Sequence, residues 1–277
     1  MPTPIPTTYV LYLDPLLGFT PGGTTWNDQS VYEQVYTFNN TSYTYEDTIG
    51  SFLLPTNTIA NQNAPLPGEI GVGSSAKTII AWVKIDSSTM ANGDFFTVYN
   101  IGRQAQSGIN ESRLICLRVG VVDNGPGNIL TIAPAVFNSN GYRLPSFTDG
   151  ANTTYWTDSN WHMISYTKVN NGTVNQQKIF VDGIEITAYA SGSTNYTVST
   201  SVNNVPSGLN PRIRINENNG ALYPSNIPGS LGQLWVYNEA LTQPDLLNFY
   251  ESTYPRYYPP APVDFSNGRS FQQGFNG

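Results

Sequence analysis

The sequence predicts an all-β domain of layered sheets closed by one short helix, and three observations predict it. Short β-branched and aromatic segments recur between Gly, Asn and Pro turns. Residues 78–85 (TIIAWVKI) are apolar on both faces, as a strand in the middle of a layered sheet must be. Helical periodicity of useful length occurs in one place only, near residue 241. The chain has 277 residues with 18 Tyr, 12 Phe and 5 Trp, enough to bury one large core.

The strands follow in order. Residues 9–14 (YVLYLD) open the domain, then 78–85, 95–101, 113–122 and 129–137. In 113–122, Ile115, Leu117, Val119 and Val121 alternate onto one face. Residues 161–169 and 178–181 read as a hairpin pair joined through Asn170, Asn171 and Gly172. Asp182-Gly183 is a tight-turn signal leading into 184–189; residues 212–215 and 231–238 complete the set. At the helix, Thr242 can cap with Asp245 three residues on, and Leu246, Leu247, Phe249 and Tyr250 supply an apolar face.

The two ends differ in composition. Residues 1–8 carry three prolines and read as a Pro-rich arm, 9–253 as the domain, and 254–277 as an extended arm. The run at 254–262 (YPRYYPPAP) favours polyproline-like backbone. Tyr257, Tyr258, Phe265, Phe271 and Phe275 are then candidates for an assembly contact, docking on a neighbouring subunit or folding back on their own domain.

Composition excludes several function classes. Charged residues are 11% and the net charge is −7, so a nucleic-acid backbone would be repelled. A single cysteine, Cys116, excludes an intramolecular disulfide; within the apolar run at 114–117 it reads as a small buried hydrophobe. The first residues lack the basic and apolar regions of a secretion signal, and no apolar run is long enough for a membrane span.

A strand that cleaves glycosides needs carboxylates two or four residues apart on one face. None of the 19 acids has such a partner; Asp182 and Glu185 come nearest, split by Gly183. A Ser-His-Asp triad would have to use the one histidine, His162, which sits beside Trp161 at the head of a strand and reads as a packed or rim residue. One His and one Cys exclude a usual zinc site. Calcium needs only oxygens, which Asp123, Asn124, Asp149, residues 158–160 and residues 216–219 could supply; Asx-rich turns without metal are the commoner explanation, so no cofactor is assigned. For glycans, residues 142–156 combine Tyr155 and Trp156, able to stack, with Asp149 and Asn152, able to hydrogen-bond, after Tyr142. The competing account of Trp156 is that it caps the core.

Four segments carry a family resemblance. Leu11-Tyr12-Leu13-Asp14 followed by residues 23–30 (GTTWNDQS) is similar to an "LDA…GTTWxDLS" opening. Residues 78–85 match its "tisaWvk" strand, and 158–162 (DSNWH) with 180–183 (FVDG) match "dgtWHhva…iyvDG". Residues 229–242 (GSLGQLWVYNEALT) look like the closing strand and its helix. Over residues 8–253 the chain thus resembles the concanavalin A-like lectin/glucanase superfamily, in its laminin-G-like jelly-roll branch.

The resemblance implies a two-sheet antiparallel jelly-roll sandwich. For function it implies two readings. The first is a non-enzymatic virion structural protein (a capsid decoration, minor capsid or spike subunit) on the particle exterior, joined to other virion proteins through the C-terminal arm. The second is a lectin or adhesin module that recognises a surface glycan. Neither involves nucleic acid or membrane insertion, and either is compatible with a homo-oligomer.

Overall fold

The computed structural model describes residues 5–55, 58, 60–62, 76–86, 94–102, 115–123, 128–138, 141–143, 158–169, 177–186, 212–215 and 225–259. Its elements in chain order are β1 (Tyr9–Leu13), α1 (Pro15–Gly18), β2 (Thr25–Asn27), β3 (Val35–Phe38), β4 (Thr44–Glu46), β5 (Ser51–Leu54), β6 (Ala60–Gln62), β7 (Lys77–Asp86), β8 (Asp94–Gly102) and β9 (Ile115–Asp123). There follow β10 (Asn128–Asn138), β11 (Gly141–Arg143), β12 (Asp158–Lys168), β13 (Gln177–Val181), β14 (Ile184–Ile186), β15 (Arg212–Ile215), β16 (Ser225–Asn226), β17 (Gly229–Tyr237) and α2 (Gln243–Tyr257).

Two sheets form the sandwich. One runs β14-β13-β12-β7-β17-β5-β4, with β1 also on β17; the other runs β11-β10-β9-β8-β15-β6-β3-β2. Pairing is antiparallel except for the two-residue β16, which lies parallel to β8. The all-β sandwich expected from the sequence is therefore present.

The double apolarity of residues 78–85 has a direct cause. On β7, Ile79, Ala81, Val83 and Ile85 point between the sheets, while Ile80 and Trp82 point out under α2. Its neighbours divide the same way: Ile164 and Tyr166 inward, Trp161 and Met163 outward on β12; Leu234 and Val236 inward, Trp235 and Tyr237 outward on β17. Period-2 alternation thus feeds two cores from one set of strands. The stack is sheet, sheet, helix.

Local signals act as the residue chemistry requires. Asp28, only 3% exposed, accepts from the backbone N–H of Tyr12 at 2.8 Å and of Ser30 at 2.9 Å, tying the 23–30 segment to β1. The turn between β13 and β14 takes positive φ at both Asp182 (53°) and Gly183 (79°), the geometry a two-residue hairpin favours. Thr242 and Asp245 form the predicted capping box of α2.

The expected extended arm from residue 254 is corrected. Helix α2 continues through Pro255 to Tyr257, and Tyr257 is 5% exposed between Trp82 and Trp161, with ring centroids at 4.2 and 5.0 Å. A proline inside a helix costs about 3 kcal/mol. Here it stands in the last turn, and burial of a full tyrosine with two tryptophan partners offsets it. Tyr257 therefore belongs to the core. Residues 5–8 also lie along the domain: Ile5 packs against the outer core, Tyr237 donates to the carbonyl of Pro6 at 3.0 Å, and Thr8 to Glu239 at 2.6 Å. Cys116 contributes backbone to β9, and Phe265, Phe271 and Phe275 lie outside the described residues.

Candidate binding site

Tyr250, Tyr254 and Tyr258 recur every four residues, so α2 stacks them along one face. Their rings lie 5.3 Å and 4.5 Å apart in succession, and the Tyr254–Tyr258 pair is stacked at 14°. The inner end of the ladder rests on Trp82, whose indole N–H donates to Thr253 Oγ1 at 2.9 Å. The outer end is open. Tyr254 is 38% exposed, and with Pro255, Tyr257, Tyr258 and Pro259 it lines a groove of about 750 Å³.

A polar wall stands beside this platform. Strand β12 begins with a bulge in which Ser159 takes φ of 69°, so Asp158, Ser159 and Asn160 stay exposed while Trp161 is buried in the outer core under α2. Tyr258 closes the gap by donating to the carbonyl of Trp161 at 2.5 Å. Burial, followed by the negative charges of Asp182 and Asp158, pushes the Tyr258 hydroxyl up to about 12, so it stays a donor at neutral pH.

His162 organises the base of the wall. Its Nδ1 lies 2.8 Å from Asp182 Oδ2 and its Nε2 3.1 Å from Asp158 Oδ1. Asp182 Oδ1 in turn accepts from the backbone N–H of Met163 at 2.9 Å. Burial alone would lower the His162 pKa, but the hydrogen bond and charge of Asp182, then those of Asp158, raise it above the ordinary value. Both ring nitrogens are engaged by carboxylate oxygens. The two carboxylates hold the ring in place from both sides and favour its protonated form.

A second polar cluster fixes the helix. Arg256 reaches back across the outer sheet face to Asp14, which also accepts from the hydroxyl of Tyr12 at 2.7 Å and from Gln233 Nε2 at 2.7 Å. Arg256 Nε also donates to the carbonyl of Ile49 at 2.6 Å. Tyr257 Oη accepts from the backbone N–H of Gln233 at 2.8 Å, directly over Gly232, where any Cβ would collide with the Tyr257 hydroxyl. The Tyr254–Tyr258 platform is thus anchored from below by buried hydrogen bonds.

Among the sequence-predicted residues, Tyr258 joins this groove, and Tyr257 lies beneath it. Tyr142 contributes backbone to β11; Asp149, Asn152, Tyr155 and Trp156 lie outside the described residues. The remaining four tryptophans are all buried, as a core account requires. For calcium, Asp158 already accepts from Asn160 and pairs with His162, and among the described residues no group of three or more His, Cys, Asp or Glu side chains is arranged to hold a metal ion. No described helix is long and apolar enough to cross a membrane. Sequence reasoning missed Tyr254. The i, i+4 tyrosines were the available signal, masked by the prolines that suggested an extended chain.

No protein-family profile matches the sequence, and no curated protein does. Among solved structures the fold is similar to the receptor-binding domain of botulinum neurotoxin C/D mosaic serotype, at 15% identity and a TM-score of 0.59, covering 88% of this chain and 51% of that one. It is also similar to the botulinum neurotoxin serotype D ligand-binding domain solved in complex with N-acetylneuraminic acid (14% identity, TM-score 0.57, 89% and 51% covered). A third structure, described as a receptor-binding domain, matches at 14% identity and a TM-score of 0.62 over 89% and 51%. The chain spans about half the length of the structures it resembles. At this identity the likeness concerns the fold: a β-sandwich of the kind used in receptor-binding domains.

Proposed function

We propose that this chain is a non-catalytic, lectin-like binding module that recognises a surface glycan. The observation that carries the reading is the stack of exposed Tyr254 on half-buried Tyr258, beside the bulge at residues 158–160. A pyranose ring presents C–H groups on its face and hydroxyls at its rim. A rigid aromatic platform receives the first, and the exposed Ser159 and the backbone of the bulge around it receive the second. The likeness to receptor-binding domains, one of them holding N-acetylneuraminic acid, supports this reading over assembly into a virion. The assembly reading also loses Tyr257 and much of Tyr258, which the domain itself uses.

The test is a glycan array with the full chain, followed by titration of the best binder against Tyr254→Ala and, for the rim at residues 142–156, Trp156→Ala. Tyr254→Ala is expected to weaken binding about tenfold with an unchanged circular dichroism spectrum. Loss on Trp156→Ala alone would move the site to the other rim. A flat array would end the glycan reading.

A further inference from the structure

Of the four described lysines, two behave as surface lysines do: Lys84 is exposed, and Lys178 donates to Glu185 at 2.7 Å. Lys77 and Lys168 do not. Lys77 stands two residues before Ile79 and Lys168 two after Tyr166, so both side chains project from the inner face of their strands, between the sheets at one end of the sandwich. The register of β7 and β12 sets them directly opposite one another. Like charges in that relation repel. Both are buried, at 0% and 2% exposure.

Their partners do not balance this arrangement. Lys77 Nζ donates to the neutral Oδ1 of Asn238 at 3.1 Å. Lys168 Nζ, buried, has no hydrogen-bond partner among the described residues. Burial, then the charge of Lys168, pushes the Lys77 ammonium down to about 8, and burial lowers Lys168 as well. An unpaired ammonium held beside a second one is among the more costly groups a core can carry. A negative ion between them would turn the repulsion into two charge-assisted hydrogen-bonded pairs.

We infer that Lys77 and Lys168 together form a binding site for a small tetrahedral oxyanion, sulfate or phosphate. Burial of both lysines inside the sandwich sets the size limit. A saccharide is too large, so this site is separate from the aromatic groove and stands or falls independently of the glycan reading.

The experiment is thermal unfolding of the full chain at pH 7 with sodium sulfate, sodium phosphate and sodium chloride at matched ionic strength. Sulfate stabilises proteins non-specifically, rising linearly with concentration. A filled site adds a saturable rise in Tm on the order of 1 mM anion. Lys168→Met should remove the saturable part, raise the apparent dissociation constant at least about tenfold, and leave the variant no less stable than the parent in anion-free buffer. Saturation by one oxyanion only identifies which of the two the site holds. Identical responses in parent and variant, or no saturable rise in the parent, would overturn the site. Should the variant fail to fold, lysine side-chain NMR of the parent decides: sulfate or phosphate should raise the pKa of Lys77 and Lys168 and leave Lys84 unmoved, and unmoved values for the pair would overturn it equally.

Discussion

Arg256 grips Asp14 with two parallel hydrogen bonds, Nη1 to Oδ2 at 2.7 Å and Nη2 to Oδ1 at 2.8 Å, across 242 residues of sequence. The pair joins the loop after β1 to the last turn of α2, and both side chains are largely buried, at 18% and 3% exposure. Removing one partner strands the other. Arg256→Met should cost ~3–5 kcal/mol in urea unfolding, while the double variant with Asp14→Asn recovers part of that loss. Equal losses in single and double variants would show that the pair does not couple.

The same pair sets an acid limit. Burial would raise the Asp14 carboxyl, but the hydrogen bonds from Arg256 and then Tyr12 outweigh it and hold it below its usual value. Its contribution is therefore present above about pH 4 and lost as pH falls through the lowered folded value. His162 works in the opposite direction. Its folded pKa is raised, so its contribution is full below about 6.5 and lost as pH rises through the folded value. Urea midpoints across pH should fall on both sides of a plateau. Asp182→Asn should flatten the alkaline side by removing the main cause of the His162 shift, and an unaltered alkaline slope would contradict this.

Two glycines separate steric from conformational cost. Gly22 has φ of 80° with nothing near its absent Cβ, whereas Gly232 lies under the Tyr257 hydroxyl and carries no unusual φ. Gly22→Ala should cost ~1–2 kcal/mol for the left-handed backbone alone. Gly232→Ala should cost ~1–3 kcal/mol by displacing Tyr257 and, with it, the aromatic platform. Tyrosine fluorescence and thermal melts of both variants check the contrast.

Truncation gives a further prediction. A chain ending at residue 253 loses Arg256 and Tyr257, and with them the ion pair and the stack on Trp82. It should unfold at markedly lower urea than a chain ending at residue 259, which keeps both. Equal midpoints would mean that the last helical turn contributes nothing.

Much of the fold was legible because long strands such as β7 carry a clear pattern. The segment at 78–85 announces a double-sided strand, and Asp182-Gly183 announces the turn that follows β13. The short strands were not legible. In β2, β4 and β6, three residues cannot express a period, and tertiary pairing alone makes them strands. The site was partly legible. Residues 158–160 and His162 were visible as an Asx turn and a lone histidine, but their meeting with Asp182 depends on the register of β12 against β13. Tyr254 was hidden because Pro255 and its neighbours argue locally for extended chain, and only burial of Tyr257 against two tryptophans reverses that preference.

The central claim is that the Tyr254–Tyr258 platform binds a sugar. The most direct test is saturation-transfer NMR of the full chain with sialylated and neutral oligosaccharides, with amide shifts mapped in parallel. The account predicts transfer to the C–H face of one sugar ring, shifts confined to residues 158–162 and 254–259, and loss of both in Tyr254→Ala. Transfer that persists unchanged in Tyr254→Ala, or shifts that map elsewhere, would contradict it.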